Sequence, residues 1–329
     1  MRAGERATDL GPTGRSPAVD QAAARVGALP HRRRRRADRP DPDRDGATTG
    51  RAVTGLYLST RTKAYAAWQA SHGADREALE LLATTPQATW LDDPSDPDAT
   101  REQVRELTRA AHDEGSTAVL AVYAIPGRDC GHYSAGGAPA ERYGQWVREV
   151  AAGICGAPIV VLEPDALPQL GAGDHQGDRV AYLADAAQVL HDAGARVYLD
   201  AGHSSWLTPR EVVRRVELVG TQHLTGIALN TSNYQWTADE RGYGEAICAE
   251  LDLRFVVDTS RNGRGSDGEW CNARGRAVGD LPRLVDDGTA CDALLWVKPP
   301  GESDGTGNGG PAAGAWWQEI ALELVRNAT

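Results

Sequence analysis

The side chains best suited to chemistry in this sequence are aspartates that come shortly after apolar segments. Asp129 lies beside Arg128, Asp165 follows the apolar run 159–162, and Asp304 stands in a glycine-rich segment near the C-terminus. A carboxyl group in apolar surroundings has a raised pKa and can donate a proton, while an ionised carboxylate can accept one. The three positions therefore indicate acid–base chemistry.

Structural roles could produce the same local patterns, and spacing alone leaves them open. An aspartate after a strand often caps the next helix, which is the alternative role for Asp165. The neighbouring Arg128 would keep Asp129 ionised, but a loop salt bridge between the two would look the same. The segment around Asp304 could be either a mobile flap over a site or a solvated loop.

Aromatic, amide and charged side chains follow further apolar segments, where they could contact a hydroxyl-rich ligand. Aromatic rings pack against the C–H faces of sugars, and amides and carboxylates hydrogen-bond to hydroxyl groups. The candidates are Asp200, His203, Trp206, Asn230, Asn233, Trp270, Lys298 and Glu302, with Arg261 as a supporting residue. Several carboxylates combined with such aromatics are typical of glycoside hydrolysis.

The sequence lacks the signatures of several other enzyme classes. It has no GxxxxGK[ST] loop, no GxGxxG between a strand and a helix, and no GxSxG turn, which disfavours phosphate, dinucleotide and serine-hydrolase chemistry. Five cysteines occur without CxxC or HExxH spacing, so neither a metal nor a cofactor is expected. A net charge of 35 − 46 = −11 disfavours nucleic-acid binding.

Short apolar segments alternate with amphipathic ones from residue 51 onward. The apolar segments predict seven strands, at Val53–Leu58, Ala118–Tyr123, Ile159–Leu162, Arg196–Leu199, Gly226–Leu229, Arg254–Val257 and Ala293–Val297. The amphipathic segments predict helices at Arg101–Asp113, Glu141–Ala152, Arg179–Ala193, Pro209–Val219, Asp239–Leu251 and Gly314–Asn327. This alternation indicates parallel strands joined by right-handed crossovers.

Both a barrel and an open, doubly wound sheet fit this alternation. Polar residues come just after nearly every predicted strand: Asp129, Asp165, Asp200, Asn230, Asp258 and Lys298. In a barrel all these strand ends meet at one mouth, whereas an open sheet would gather them only near its switch point. We therefore predict an α/β fold with a seven-stranded parallel barrel and its site at the carboxyl ends of the strands.

Residues 1–50 differ in composition from the rest of the chain, with 11 arginines, 7 acids and the arginine run 32–36. We predict a disordered tail here, with a nucleic-acid-binding arm as the alternative, and a catalytic domain over residues 51–329. No apolar stretch follows the basic residues, so a signal peptide is not recognisable. No apolar run reaches the roughly 18 residues that span a bilayer, and no membrane partner is expected.

Three motifs together are specific for one enzyme family. They are Tyr123 with Pro126-x-Arg128-Asp129-Cys130, then Leu162-Glu163-Pro164-Asp165, then Lys298-Pro299-x-Gly301-Glu302-x-Asp304-Gly305. Shorter matches at 199–203, 258–263 and 270–272 reinforce them. With these motifs the chain, from about Gly55 to Ala328, resembles glycoside hydrolase family 6, which contains endoglucanases and cellobiohydrolases.

The resemblance implies a distorted seven-stranded barrel and inverting hydrolysis of β-1,4-glucan without a cofactor. Asp165 would be the general acid, Asp129 would raise the pKa of that acid and help a water chain, and Asp304 would be the base or a charge stabiliser. Tyr123 would press on the distorted sugar, and the eight ligand candidates above would line the glucose subsites. Inverting enzymes hold acid and base about 6.5–9.5 Å apart around a water molecule. A monomeric, extracellular enzyme is expected by the same resemblance.

The sequence departs from the family pattern at several positions. Ala124 stands where members often have Asp or Asn, and Ala135 stands where they usually have Ser. Cys130 and Cys271 have no cysteine near Gly173 or at Thr306, where the family's disulfide partners fall, and each missing bridge would cost about 2–4 kcal/mol of stability. These departures keep open a carbohydrate-binding relative that has lost catalysis.

The length of two loops bears on whether cleavage is internal or from a chain end. Segments Gly263–Glu269 and Thr306–Pro311 are short, whereas tunnel-forming members of the family carry long insertions there. We therefore predict an open cleft and internal cuts, with an exo-acting cellobiohydrolase as the alternative.

Overall fold

The structure, a computed structural model, describes residues 55–172 and 176–328, so the tail predicted for residues 1–50 lies outside the described residues. Its strands are β1 Thr89–Leu91, β2 Val119–Val122, β3 Ile159–Leu162, β4 Arg196–Asp200, β5 Gly226–Leu229, β6 Arg254–Asp258, β7 Arg283–Leu284 and β8 Cys291–Leu295. Seven of them run parallel in the order β1-β2-β3-β4-β5-β6-β8, and the short β7 pairs antiparallel with β8.

The sheet curls into a distorted barrel that closes at a narrow seam. Ala88, next to β1, donates its N–H to the carbonyl of Trp296, next to β8, at 2.9 Å. Within the described chain this is the one backbone hydrogen bond between these two edges of the sheet. The Trp90 indole N–H reaches across the same seam to the Val297 carbonyl at 2.8 Å. The predicted α/β barrel is therefore confirmed, with a discontinuous wall at one place.

The predicted strand Val53–Leu58 is wrong. Among its described residues only Leu56 makes a β-bridge, to Thr117. The position beside β2 is occupied by β1, whose residues pair with Leu120–Val122. Three residues are too few to show a periodic pattern, which explains why β1 was not predicted. The other six predicted strands are confirmed, so the number of parallel strands remains seven.

The helices are α1 Lys63–Ala70, α2 Gly73–Ala83, α3 Pro97–Glu114, α4 Ala140–Gly153, α5 Arg179–Asp192, α6 Pro209–Val219, α7 Thr237–Leu251 and α8 Gln318–Arg326. All six predicted helices are present, while α1 and α2 were not predicted. Asp96, Asp178 and Thr208 cap α3, α5 and α6 through side-chain oxygens that accept backbone N–H groups. Among the described residues, no helix is long and apolar enough to cross a membrane.

Alternating strand residues build two apolar layers. One set fills the barrel interior and includes Ala121, Val161, Tyr198, Ala228 and Ala293. The intervening residues face the helices and form the larger core with α3 to α7. Both faces of the strands are thus covered, which accounts for their continuously apolar sequences. This double burial fixes where each strand ends and hence where the loops that follow it emerge.

Candidate active site

A cavity of about 950 Å³ opens where the loops after the parallel strands converge. Its lining includes eleven of the predicted site residues: Tyr123, Arg128, Asp129, Asp165, His203, Trp206, Asn233, Trp270, Lys298, Glu302 and Asp304. The three others, Asp200, Asn230 and Arg261, are buried behind its wall. The predicted clustering of polar residues at the carboxyl ends of the strands thus occurs.

Asp165 lies on the cavity wall in a strained turn after β3. Glu163 and Asp165 adopt φ values of +49° and +67°, in the left-handed region that costs a non-glycine residue about 1–3 kcal/mol. Burial raises the pKa of Asp165 well above its usual range, and the charges of Asp200 and Asp129 raise it further. The helix-capping alternative is wrong, because α5 is capped by Asp178. Asp165 is therefore suited to donate a proton.

Asp200 supports Asp165 from beneath. Its Oδ1 accepts the backbone N–H of Asp165 at 3.0 Å and that of Gly202 at 3.2 Å. The side chain is fully buried, and burial raises the pKa of Asp200 to about 7. This location does not fit the predicted contact with glucose; it fits a positioning residue that holds the turn and acts on Asp165 through its charge.

Replacing Asp200 by Asn should move the alkaline limb of the pH–activity profile to lower pH. The negative charge of Asp200 raises the pKa of Asp165, so its removal lets Asp165 lose its proton at a lower pH. The measurement is kcat/KM on a soluble β-glucan from acid to alkaline pH, because Asp200 carries its charge only above its pKa of about 7. Asp185→Asn, on the exposed face of α5, serves as control. Coincident profiles for Asp200→Asn and the wild type would contradict this role.

A serine that the sequence did not single out holds Asp129. The Ser134 backbone N–H and hydroxyl both donate to Asp129 Oδ2, at 2.7 and 2.9 Å. The same hydroxyl lies 3.0 Å from the Tyr123 hydroxyl. Ser134 therefore links the carboxylate to the phenol on the cavity wall. The family pattern had directed attention to the next residue, Ala135.

Arg128 fixes the loop through hydrogen bonds to backbone carbonyls. Its guanidinium donates to the carbonyls of Tyr123, Ser134 and Asp92 at 2.6 to 2.9 Å. It also lies 4.8 Å from the centroid of the Tyr123 ring. No Arg128–Asp129 ion pair forms within residues 55–172 and 176–328, so the salt-bridge interpretation is wrong. The arginine instead holds the phenol ring in place.

Asp304 is the charged centre of a buried network. Arg261 donates to its two oxygens at 3.0 and 2.8 Å, the Asn272 backbone N–H donates at 2.8 Å, and Lys298 Nζ lies 3.2 Å away. Burial works to raise the pKa of Asp304, but the charges of Arg261 and Lys298 outweigh it and hold the pKa below its usual value. This carboxylate is therefore ionised at neutral pH.

Aromatic rings line the cavity in three places. Trp90 packs edge-to-face on Tyr123 with ring centroids 5.2 Å apart. Trp270 packs against Tyr133 at 5.8 Å, and Trp206 lies in the loop after β4. The side chains of Trp206 and Trp270 are 38% and 47% exposed, so their faces are available to a sugar ring. Trp90 was missed because its strand was missed.

Polar groups complete the lining. Glu302 pairs with Lys63, which the sequence did not single out, at 3.1 Å, and burial raises the pKa of Glu302. Burial lowers the pKa of His203 to about 4, so the imidazole is neutral at neutral pH. Asn233 lines the cavity and donates its amide N–H to the Thr231 carbonyl at 3.0 Å. These groups offer hydrogen bonds to hydroxyls with little net charge.

Asn230 positions loops and does not reach the cavity. Its amide donates to the Asp258 carbonyl at 2.8 Å and accepts the Gln235 N–H at 3.0 Å. The residue is fully buried. The predicted contact with sugar does not agree with this burial, and Asn230 instead ties the loop after β5 to the end of β6.

All five cysteines lie within the described residues and are free thiols. Cys130 Sγ lies near two glutamine side chains, 3.2 Å from Gln169 Oε1 and 3.4 Å from Gln176 Nε2. A Cβ built on Gly307 would lie 2.6 Å from Cys271 Sγ. Gly307, the residue after Thr306, thus lies against the Cys271 thiol, at the position where a disulfide partner would have to be.

Gly307→Cys should form a disulfide with Cys271. The short separation suits a bonded sulfur after a small adjustment, since disulfide geometry places a sulfur close to the far Cβ. The bridge should raise the free energy of unfolding by about 2–4 kcal/mol. The measurements are titration of free thiols and urea unfolding with and without reductant, with Gly307→Ser as control. The wild type has five titratable thiols, and a count of six in the variant without reductant would contradict the bridge.

Comparison with known proteins assigns the family. The family model named "Glycosyl hydrolases family 6" matches residues 51–328. "Endoglucanase A" of Cellulomonas fimi is 55% identical over 277 residues, covering 84% of this chain and 62% of that protein. "Endoglucanase 1" of Streptomyces sp. (strain KSM-9) is 42% identical over 274 residues, covering 79% and 76%. The chain therefore spans less than two thirds of the Cellulomonas fimi protein.

A solved structure gives the same assignment. The endoglucanase from Mycobacterium tuberculosis, in complex with methyl-cellobiosyl-4-deoxy-4-thio-β-D-cellobioside, is 38% identical with a TM-score of 0.78. The match covers 83% of this chain and 97% of that one. The matched range includes every motif that lines the cavity, and the chain belongs to glycosyl hydrolases family 6.

Proposed function

We propose that this chain is an inverting glycoside hydrolase that cleaves internal β-1,4-glucosidic bonds of cellulose and related β-glucans. One observation carries the proposal: Asp165 presents a carboxyl group with a strongly raised pKa on the wall of a cavity lined by aromatic rings. The names of the two bacterial relatives, both endoglucanases, support the same substrate class. Residues 51–329 form the catalytic domain in this proposal.

In the proposed mechanism Asp165 protonates the glycosidic oxygen as its bond to the anomeric carbon breaks. A water molecule attacks that carbon from the opposite face, which inverts the configuration. The proton that this water loses passes through further water molecules toward Asp129 and the solvent. Arg261 and the Asn272 N–H already donate hydrogen bonds to the Asp304 oxygens, which makes the carboxylate a weak proton acceptor. Asp304 therefore fits a stabiliser of the developing positive charge better than a base. The Asp129 carboxylate and the Ser134 hydroxyl are hydrogen-bonded to each other and would together order the attacking water.

The substrate partner is a neutral polysaccharide. The exposed faces of Trp206 and Trp270 can stack on glucose rings. The side chains of His203, Glu302 and Lys298 can hydrogen-bond to the glucose hydroxyls. The endoglucanase from Mycobacterium tuberculosis was solved with a cello-oligosaccharide analogue, which agrees with this class of ligand. We propose export from the cell, because insoluble cellulose cannot enter a cell. Action as a monomer is proposed from the family resemblance.

Internal cleavage should rapidly lower the viscosity of a soluble substituted cellulose while few reducing ends appear. The segments 263–269 and 306–311 are short where tunnel-forming members of the family carry long insertions, which supports this mode. Plotting viscosity against reducing ends checks it. Slow viscosity loss with steady release of cellobiose would assign the exo-acting alternative instead. Absence of reducing ends with retained glucan binding would assign the non-catalytic alternative.

The stereochemistry is tested separately by following the anomeric protons of the first product by NMR. Cleavage of a β-glucan by inversion should release the α-anomer first. Initial release of the β-anomer would refute the inverting mechanism without affecting the assignment as a glucanase.

A further inference from the structure

A cluster of metal-ligand side chains lies away from the cavity, at the opposite ends of the strands. His191 and Asp192 end α5 just before β4, and His223 precedes β5. One ligand atom from each residue lies within 4.8 Å of the other two. Because strands β4 and β5 carry Asp200 and the Asn230 loop at their carboxyl ends, their amino ends face the far side of the barrel. The glucanase mechanism uses none of the three side chains.

Two further observations point to a cation here. Nδ1 of His223 is closed off from solvent and has no hydrogen-bond partner in the described part of the chain. The imidazole ring centroids of His191 and His223 lie 5.5 Å apart, with the ring planes tilted by 59° to each other. A bound cation would satisfy the orphan nitrogen and account for the approach of the two rings.

The backbone holds the ligands in place before any ion binds. The Gly194 N–H donates to the His191 carbonyl at 2.8 Å, and the Leu224 N–H donates to the Thr221 carbonyl at 3.1 Å. The Thr225 N–H then donates to Val197 in β4 at 2.8 Å, which joins the two turns. The C-terminal end of α5 adds partial negative charge, which favours a cation.

We propose that His191, Asp192 and His223 bind one divalent transition-metal ion such as Zn²⁺, with water completing the coordination. Two imidazoles and one carboxylate are a ligand set that zinc accepts, whereas calcium and magnesium prefer oxygen ligands alone. The ion would clamp the turn before β4 to the turn before β5. Its role is structural, since the site lies at the end of the barrel opposite the catalytic loops.

The test is calorimetric titration of the tag-free, EDTA-treated full chain with ZnCl₂. One ion per chain should bind, and His191→Ala and His223→Ala should each weaken binding by at least about tenfold. His72→Ala, at the exposed start of α2, is the matched control and should bind as the wild type does. Zinc should raise the Tm of the wild type and the control but not of His191→Ala, whose exposed position leaves the fold intact.

Several outcomes would overturn the proposal. The proposal fails if the wild type shows no saturable zinc binding. It also fails if His191→Ala and His223→Ala bind zinc as tightly as the wild type does, or if the wild type binds calcium as tightly as zinc. The five free thiols could bind zinc on their own, and unaltered binding in the two histidine variants would reveal that case. Hydrolysis of β-glucan is measured on the same samples, so failure of the metal site and failure of the glucanase assignment are distinguished.

Discussion

Asp165→Asn should lower kcat on cellulose by about 10²–10⁴-fold, the usual contribution of a general acid. The amide cannot protonate the glycosidic oxygen, so the departing sugar must leave as an alkoxide. Substrates with good leaving groups need no such proton and should lose much less activity. The Kd for a cello-oligosaccharide should change little, because the cavity wall is otherwise intact.

The measurement compares kcat on soluble β-glucan with kcat on an aryl cellobioside that carries an acidic phenol. Asp185→Asn, on the exposed face of α5, is the matched control and should retain both activities. Equal losses on the two substrates would assign Asp165 a structural role. Near-normal hydrolysis of β-glucan by Asp165→Asn would exclude it as the proton donor.

Asp304→Ala should combine inactivation with a large loss of stability. Removal of this carboxylate leaves Arg261 and Lys298 buried without their counter-charge, which typically costs about 3–5 kcal/mol. The loss should appear in the free energy of unfolding by urea at neutral pH. Asp287→Ala, which removes the partner of Arg241 in an exposed ion pair, is the control and should have a far smaller effect.

Asp304→Asn separates the charge from the hydrogen bonds at this position. The lowered pKa of Asp304 means that its charge contributes stability above the ordinary aspartate pKa of about 3.9. That contribution is lost as the pH falls through the lower folded-state pKa. The stability difference between wild type and Asp304→Asn should therefore be constant at neutral pH and shrink in acid. A difference that grows in acid would refute the assignment.

The apolar strands could be predicted because both of their faces are buried. Segments such as Ile159–Leu162 and Gly226–Leu229 read as continuous apolar runs, and the structure places them as predicted. The strand Thr89–Leu91 could not be predicted, because three residues carry no period. Its identity is fixed by pairing with β2, a long-range contact that local sequence does not reveal.

The loops that form the candidate site could be predicted from the sequence, but the directions of their side chains could not. Asp165 follows β3 and Asp200 is the last residue of β4, and both were predicted to face the substrate, yet only Asp165 reaches the cavity. The difference lies in the left-handed backbone at Glu163 and Asp165, which turns that side chain outward. Sequence patterns give no sign of such a turn at residues other than glycine or asparagine. Ser134 was missed because the family pattern directed attention to the next residue, Ala135.

The incomplete wall between Ala88 and Trp296 affects how a polymer can enter. An internal bond of a long polymer has no nearby end to thread, so the chain has to be laid in sideways. On this side the cavity is lined by Ala88, Trp90 and Lys298. Separating these residues breaks the Ala88–Trp296 backbone hydrogen bond and the Trp90 indole bond to Val297, each worth about 0.5–1.5 kcal/mol, rather than a full ladder of backbone hydrogen bonds. This side of the groove is thus joined by fewer backbone hydrogen bonds than any pair of neighbouring parallel strands, so admitting a bulky or substituted glucan here should cost less than separating such a pair.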